Sequence, residues 1–106
     1  MRKHLAYFGI ASLLLLTADV SCLAQSGAEL YKSKCQMCHA ADGSGNTPAG
    51  QKLKARPFNS PDVMKESDED MIGTIKKGKN KMPAFEGKLT DAQIATLVAH
   101  IHTLQK

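Results

Sequence analysis

The carboxyl-terminal part of the chain shows the clearest pattern of apolar and polar positions. Its apolar residues stand three or four positions apart, at the spacing of one helical face: Ile94, Leu97, Val98, Ile101 and Leu104. Thr90 and Gln93 precede this run as a capping box, in which each side chain can pair with the backbone amide of the other residue. The pattern therefore predicts a helix as the last element of the chain.

Three earlier signals predict further helices, and two of them have the capping-box pattern. The three signals are Ser26–Glu29, Ser60–Pro61 and Ser67–Asp70, and the first and the third have the capping-box pattern. We expect the first helix to run into Cys38. The second begins with a proline, which suits the first helical position, and should reach about Lys65. The third should end at Gly78, after two lysines.

The segment Ala40–Ser60 has no regular pattern, because glycines and prolines interrupt it. Its only large apolar side chains are Leu53 and Phe58. A loop of this length is uncommon in a compact domain unless it covers a functional group, so we predict a long functional loop. Since no stretch of the sequence alternates as a strand does, the predicted fold class is all-α.

The amino-terminal residues differ from the rest of the chain. Arg2 and Lys3 give a positively charged start, and Leu5–Leu16 is an almost unbroken apolar run, as in a secretory signal peptide. The run is shorter than the roughly twenty residues that span a bilayer, which disfavours a permanent transmembrane helix. We therefore predict a signal peptide at residues 1–24 and one domain at residues 25–106, with no transmembrane span in the mature chain.

Cys22 allows a second interpretation of the same segment. Cleavage after Ala24 fits the small side chains of Cys22 and Ala24 at the positions that signal peptidase reads. A cysteine after an apolar run also resembles a bacterial lipoprotein site, which would tether the domain to a membrane by lipid. Asp19 stands where that site normally has leucine, so cleavage is the favoured interpretation.

Size and charge narrow the classes of function. Residues 25–106 contain 12 of the 14 Lys and Arg residues and 9 of the 10 Asp and Glu residues, a net charge of +3. Nucleic-acid binding is disfavoured because no aromatic residues are interleaved with the basic ones. A domain this small usually needs a covalent cross-link, a metal or a bound cofactor for stability, since the entropic cost of ordering the chain nearly cancels the free energy gained by burying its apolar side chains.

The run Cys35-Gln36-Met37-Cys38-His39 can supply such a covalent attachment. Two thiols on one helical turn can add to the two vinyl groups of a haem, and the adjacent imidazole then meets the iron. A thioredoxin-like dithiol would need a βαβ setting, which is not predicted here. A structural zinc site would need a fourth ligand, for which His100 and His102 remain. The motif therefore favours one haem c, covalently attached through Cys35 and Cys38.

The chain resembles the class I c-type cytochromes, in particular the small bacterial monohaem proteins, over nearly all of residues 27–104. The residues that carry the resemblance around the motif are Gly27, Tyr31, Asp42, Gly43, Gly45 and Pro48. Pro48 resembles the proline whose carbonyl accepts a hydrogen bond from the proximal imidazole, a bond that would orient His39. The resemblance implies the cytochrome c fold, with three to four short helices wrapped around the haem. His100 departs from the family, which usually has an aromatic residue there.

The segment Lys81–Phe85 resembles the distal loop of the same family, in which a methionine sulfur is the second axial ligand. Met82 precedes a proline and lies outside any helical stripe. The other methionines after the signal peptide are better explained as core filler: Met37, Met64 and Met71. The resemblance therefore implies that His39 and Met82 are the two metal ligands.

With both axial positions taken, the iron has no open site for a substrate, so we expect a single-electron carrier and not an enzyme. It would shuttle electrons between respiratory or dehydrogenase partners in the periplasm. Two alternatives stay open. One is a haem-dependent peroxidase or gas-binding protein with a labile distal methionine. The other is a haem subunit of a larger oxidoreductase complex.

Four lysines crowd the segment that leads to Met82: Lys76, Lys77, Lys79 and Lys81. They could steer the acidic surface of a redox partner toward the haem edge. The alternative is a solvated charge run that complements the dipole of a helix end. We expect a monomer that meets its partners through small, transient interfaces.

Overall fold

The computed structural model describes residues 25–106, so the predicted signal peptide and Cys22 lie outside the described residues. Six helices follow one another in this part of the chain: α1 (Gly27–Lys34), α2 (Gln36–His39), α3 (Pro48–Leu53), α4 (Pro61–Met64), α5 (Asp68–Lys77) and α6 (Asp91–Leu104). The other regular pairings described are two isolated bridges, Lys79 with Met82 and Glu86 with Leu89. The predicted all-α class is confirmed.

Serine and threonine side chains begin the longer helices at the predicted positions. Ser26 and Ser67 each accept a hydrogen bond from the backbone amide three residues on, at 3.2 and 3.1 Å. At the start of α6, Thr90 and Gln93 pair in both directions, at 2.8 and 3.1 Å. These bonds satisfy amide groups that the first turn of a helix leaves without a partner.

Two predicted boundaries differ from the structure. The first helix does not run unbroken into Cys38, because Cys35 has a φ of −119° and separates α1 from α2. The prediction of a continuous loop over residues 40–60 is wrong, because Thr47 and Pro48 start α3 within it. A hydroxyl cap followed by proline is a helix start that outweighs the surrounding glycines. Residues 25–106 therefore form six short helices, where three to four were expected.

The core lies where α6 packs against α1 and α5. Its buried members are Leu30, Tyr31, Phe58, Val63, Met71, Ile75, Leu89, Ile94, Leu97, Val98 and Ile101. The first four residues of the apolar stripe predicted on α6 are all in this set, and Leu104 packs against it. The stripe therefore faces the core, as helical periodicity indicates.

Helices α1 and α6 cross at close range. A Cβ atom at Gly27 would overlap the carbonyl group of Thr96, so only glycine allows this approach. His100 lies on the same face of α6, and its ring centroid is 4.9 Å from that of Tyr31. The imidazole of His100 thus packs on the first helix, as the family's aromatic residue would.

Candidate functional site

A cavity of about 290 Å³ opens beside the core. It brings together Cys35, Cys38 and His39 around α2 with Met82 from the loop between α5 and α6. The rest of the apolar lining consists of Leu53, Ala55, Phe58, Val63, Met71, Ile75, Pro83, Phe85 and Ile101. A concave, largely apolar site with a few convergent polar groups is typical of cofactor binding.

Backbone hydrogen bonds hold the turn that carries the two cysteines and His39. The amide of His39 donates to the carbonyl of Cys35 at 2.9 Å, and the amide of Gly45 donates to the carbonyl of His39 at 2.8 Å. The hydroxyl of Thr47 donates to the carbonyl of Met37 at 2.7 Å. Thr47 therefore connects the start of α3 to α2, whereas its position before a proline signals only the start of the helix.

The residue after His39 has an unusual backbone conformation. Ala40 has φ 66° and ψ 161°, a region that is populated almost only by glycine. Its carbonyl accepts a hydrogen bond from the hydroxyl of Tyr31 at 2.5 Å. Burial raises the pKa of Tyr31, so the hydroxyl keeps the proton that it donates. Tyr31 thus ties α1 to the chain directly beyond His39.

Burial controls the protonation of two groups in the cavity. It raises the pKa of the Cys35 thiol to about 11, with a smaller contribution from the neighbouring Cys38. It lowers the pKa of His39, which favours the neutral imidazole that metals bind. A thioether carries no charge, so surroundings that disfavour a thiolate do not disfavour a sulfur bonded to haem.

The imidazole of His39 lies against the ring of Phe58, with centroids 4.8 Å apart and an angle of 25° between the planes. Its Nδ1 atom is buried and has no hydrogen-bond partner within residues 25–106. The expected bond from His39 to the carbonyl of Pro48 is not among the hydrogen bonds described for residues 25–106, and it stays a prediction for the haem-loaded protein. Pro48 is the first residue of α3.

Met82 lies at the end of a tight turn that follows α5. Gly78 ends the helix with a φ of 74°, and Asn80 has a φ of 54°. Lys79 and Met82 exchange two backbone hydrogen bonds, at 2.9 and 3.3 Å. The side chain of Met82 packs against the core and lines the cavity, so the turn directs it toward the cysteines and His39.

The other methionines divide into two kinds. Met71 is buried in the core, as predicted. Met37 and Met64 are 78% and 52% exposed, so the prediction that they fill the core is wrong. Met37 stands between the two cysteines and Met64 is the last residue of α4, and neither lines the cavity.

The four lysines near Met82 also divide into two groups. Lys79 and Lys81 line the cavity, whereas Lys76 forms an ion pair with Asp91 at 2.8 Å and Lys77 is exposed outside the lining. Two lysines from earlier in the chain also line the cavity, together with Arg56, which pairs with Glu66. We call this set the rim lysines: Lys34, Lys54, Lys79 and Lys81.

The two late histidines have other partners. His100 packs on Tyr31, and His102 pairs with Asp68 at 2.6 Å and with Gln105 at 2.8 Å. Neither histidine lines the cavity, and residues 25–106 contain no group of three or more His, Cys, Asp or Glu side chains placed to hold a metal ion, which disfavours the zinc alternative. The hydrogen bond to Asp68 is the main cause that raises the pKa of His102, and Gln105 adds to it.

The side chains around the cavity fit a covalently bound haem c. Cys35 and Cys38 have the spacing of the attachment motif, and His39 supplies a neutral imidazole. Met82 brings a thioether, a known haem ligand, to the same cavity. The apolar lining suits a large flat macrocycle that must be shielded from water.

Known proteins share this sequence pattern. Residues 23–101 match the family model described as "Cytochrome C oxidase, cbb3-type, subunit III". Cytochrome c6 of Thermosynechococcus vestitus is 32% identical over 104 residues, which cover 94% of this chain and 89% of that protein. Cytochrome c6 of Synechococcus elongatus is 35% identical over 77 residues, which cover 72% of this chain and 84% of that protein.

A solved structure shares the fold as well. The KustC0563 c-type cytochrome has a TM-score of 0.71 and 34% sequence identity, over 77% of this chain and 100% of that one. The predicted cytochrome c fold and the covalent haem c are therefore confirmed. The chain belongs to the cytochrome c family, as a small class I c-type cytochrome that carries electrons on haem c.

Proposed function

We propose that this chain carries single electrons between protein partners outside the cytoplasm, with His39 and Met82 as the axial ligands of its haem. One observation carries the proposal: α2 and the loop after α5, more than forty residues apart in sequence, line one cavity with His39 and Met82. Cys35 and Cys38 hold the haem beside them.

Each ligand has a distinct role in this proposal. Bound haem c supplies one-electron exchange between ferrous and ferric iron. Burial lowers the pKa of the His39 imidazole, which favours the neutral form that can donate to a metal. The thioether of Met82 is a weak donor that favours the ferrous state, and the apolar lining acts in the same direction. With both positions taken by side chains, the chain leaves no open site for a substrate.

We place the protein in the periplasm, on the strength of residues 1–24. Their charged start and apolar run have the pattern of a signal peptide, and lipid attachment at Cys22 is the alternative that would keep the domain at a membrane. None of the helices described between residues 25 and 106 is long and apolar enough to cross a bilayer.

The rim lysines are the proposed docking surface for an acidic redox partner. All four are exposed, and they bring positive charge to the cavity mouth from both halves of the chain. The lining also contains one carboxylate, Glu66, which pairs with Arg56 at 3.2 Å. A local excess of positive charge at the cavity steers negatively charged partners and speeds their encounter.

A visible spectrum and an intact mass test the cofactor and the ligands together. The mature protein, made in a host that attaches haem c, should gain the mass of one haem and show a low-spin spectrum in both oxidation states. Met82→Ala should open the iron, so that the reduced variant binds carbon monoxide at once. Met64→Ala is the matched control, because Met64 is exposed and lies outside the cavity lining.

A result on the unmodified protein separates the carrier from the enzymatic alternative. If it binds carbon monoxide immediately on reduction, or turns over peroxide readily, Met82 does not block the iron and the peroxidase or gas-binding alternative takes its place. Carbon monoxide binding by Met64→Ala as fast as by Met82→Ala would likewise remove Met82 from the ligand set.

The family description favours one second candidate, a haem-bearing subunit of a larger oxidoreductase complex. The matching family model is described as subunit III of a cbb3-type oxidase. The match to most of the length of cytochrome c6 supports a protein that works alone. Purification from the native membrane and soluble fractions distinguishes the two, since a complex subunit would co-purify with its partners and a carrier would elute as a monomer.

A further inference from the structure

We propose that His102 is a proton-dependent latch, which fastens the end of α6 both to α5 and to Phe58 in the wall of the cavity. The latch is closed when both nitrogens of the imidazole carry a proton, and it opens on the Phe58 side when one proton leaves. The inference goes beyond electron transfer by haem, and it does not depend on which residues bind the iron.

The two ring nitrogens of His102 both face oxygen atoms that accept hydrogen bonds. Nε2 lies 2.6 Å from Oδ1 of Asp68 in α5, and Nδ1 lies 2.8 Å from Oε1 of Gln105, directly after α6. A neutral imidazole has one N–H group and one lone pair, so it can donate to only one of these acceptors, whereas the imidazolium ion donates to both. The arrangement is therefore that of the protonated ring.

The side-chain amide of Gln105 is held from its other end. Its Nε2 atom donates to the carbonyl of Phe58 at 3.0 Å, a contact between residues 47 positions apart in the chain. This bond fixes which end of the amide faces His102, since the reverse orientation would place the amide oxygen against the Phe58 carbonyl oxygen. His102 and Phe58 therefore share one amide group, and a change at one contact disturbs the other.

Loss of a proton from His102 releases the Phe58 side of the latch. The remaining N–H stays on Nε2, because a hydrogen bond to the carboxylate of Asp68 is stronger than one to a neutral amide. The lone pair of Nδ1 then faces the amide oxygen of Gln105, and the two repel each other. The amide relieves this repulsion by turning over or moving away, and either movement breaks its bond to Phe58.

The groups around His102 set the pH at which the latch opens. Asp68 is the charged group that faces it from α5, whereas Gln105 and the carbonyl of Phe58 behind it are neutral. The hydrogen bond to Asp68 is the main cause that raises the pKa of His102, and the bond to Gln105 is the second. The side chain is 43% exposed, so its proton exchanges with solvent. The latch therefore opens as pH rises through a pKa above the ordinary 6.5.

Phe58 connects the latch with the cavity. It is part of the lining, and its ring lies against the imidazole of His39, with centroids 4.8 Å apart. His102 itself lies outside the lining. The latch thus transmits the protonation of an exposed histidine to the wall of the cavity, so that the surroundings of the cofactor depend on pH.

A pH titration of the reduced, haem-loaded wild type by nuclear magnetic resonance tests the latch without a variant. The ring protons of His102 report its midpoint. The side-chain amide of Gln105 and the backbone amide of Asn59, which shares a peptide group with the Phe58 carbonyl, should shift with the same midpoint, above about pH 6.5. The inference is overturned if these two amides do not follow His102.

Three variants identify the titrating group. His102→Gln should abolish the shifts of the Gln105 and Asn59 amides, because glutamine does not titrate. His100→Gln is the matched control, since it removes the other histidine of α6 and should leave the shifts in place. Asp68→Asn should lower the midpoint of His102 and of both amides together. Shifts that persist in His102→Gln, or a midpoint that Asp68→Asn leaves unchanged, would also overturn the inference.

Discussion

Replacing Gly27 with alanine probes the crossing of α1 and α6, on which the wall of the site depends. The new Cβ would overlap the carbonyl group of Thr96 and would lie 3.2 Å from the Cβ of His100. Both neighbours are parts of a helix, and a backbone carbonyl does not turn aside as the end of a flexible side chain does. The helices must therefore move apart.

The expected cost follows from overpacking. Forcing one extra carbon into a packed contact costs about 1–3 kcal/mol, while replacing a helical glycine by alanine returns about 0.5–1 kcal/mol. We expect Gly27→Ala to lower the free energy of unfolding by about 1–2 kcal/mol. For a domain of this size, that lowers Tm by roughly 5–15 °C.

Gly73→Ala is the matched control. Gly73 lies inside α5, and a Cβ at this position would meet no atom within 4 Å. The same substitution should therefore raise the free energy of unfolding by about 0.5–1 kcal/mol, because only the helix preference changes. Thermal unfolding of the oxidised, haem-loaded proteins, followed by circular dichroism, compares the two. If both variants shift Tm in the same direction, the close approach of α1 and α6 is not the reason that position 27 requires glycine.

Three further predictions concern single contacts. Tyr31→Phe removes the buried hydrogen bond that its hydroxyl donates and should lower the free energy of unfolding by about 1–2 kcal/mol in denaturant titrations. The raised pKa of His102 stabilises the fold below about pH 6.5, and this contribution is lost as pH rises through the folded-state pKa. His102→Gln should therefore lower the free energy of unfolding by less than about 1 kcal/mol near pH 5.5 and by almost nothing near pH 9. An equal loss at both pH values would contradict an ionic role of His102. Lys79→Glu should slow the oxidation of the reduced protein by ferricyanide, a trivalent anion, about fivefold at 0.1 M salt. This factor assumes that the anion approaches to about 10 Å and that the interaction is screened over one Debye length. Lys88→Glu is the control, because Lys88 lies outside the cavity lining, and it should change the rate less.

The chemistry of the site could be predicted from the sequence because it depends on short-range spacing. Two cysteines and a histidine on one turn have few uses, and the capping residues that start α1, α5 and α6 act within three positions of themselves. Thr47 and Pro48 are a local signal of the same kind, and α3 starts there although glycines surround it. Helix starts of this kind need no tertiary information.

Contacts between distant residues could not be predicted in this way. The stacking of Phe58 on His39, the ion pair of Lys76 with Asp91 and the exposure of Met37 depend on how segments far apart in sequence pack together. Periodicity reports which face of a helix is apolar but not which neighbour covers it.

The sequence by itself determined the covalent haem, the all-α class and the apolar face of α6, because each depends on residues within about four positions of one another. Only the tertiary structure decided which lysines stand at the cavity and that the ring of Phe58 lies against the imidazole of His39. The physical reason is that a side chain's charge partners and packing partners are set by chain crossings, which local preferences leave open.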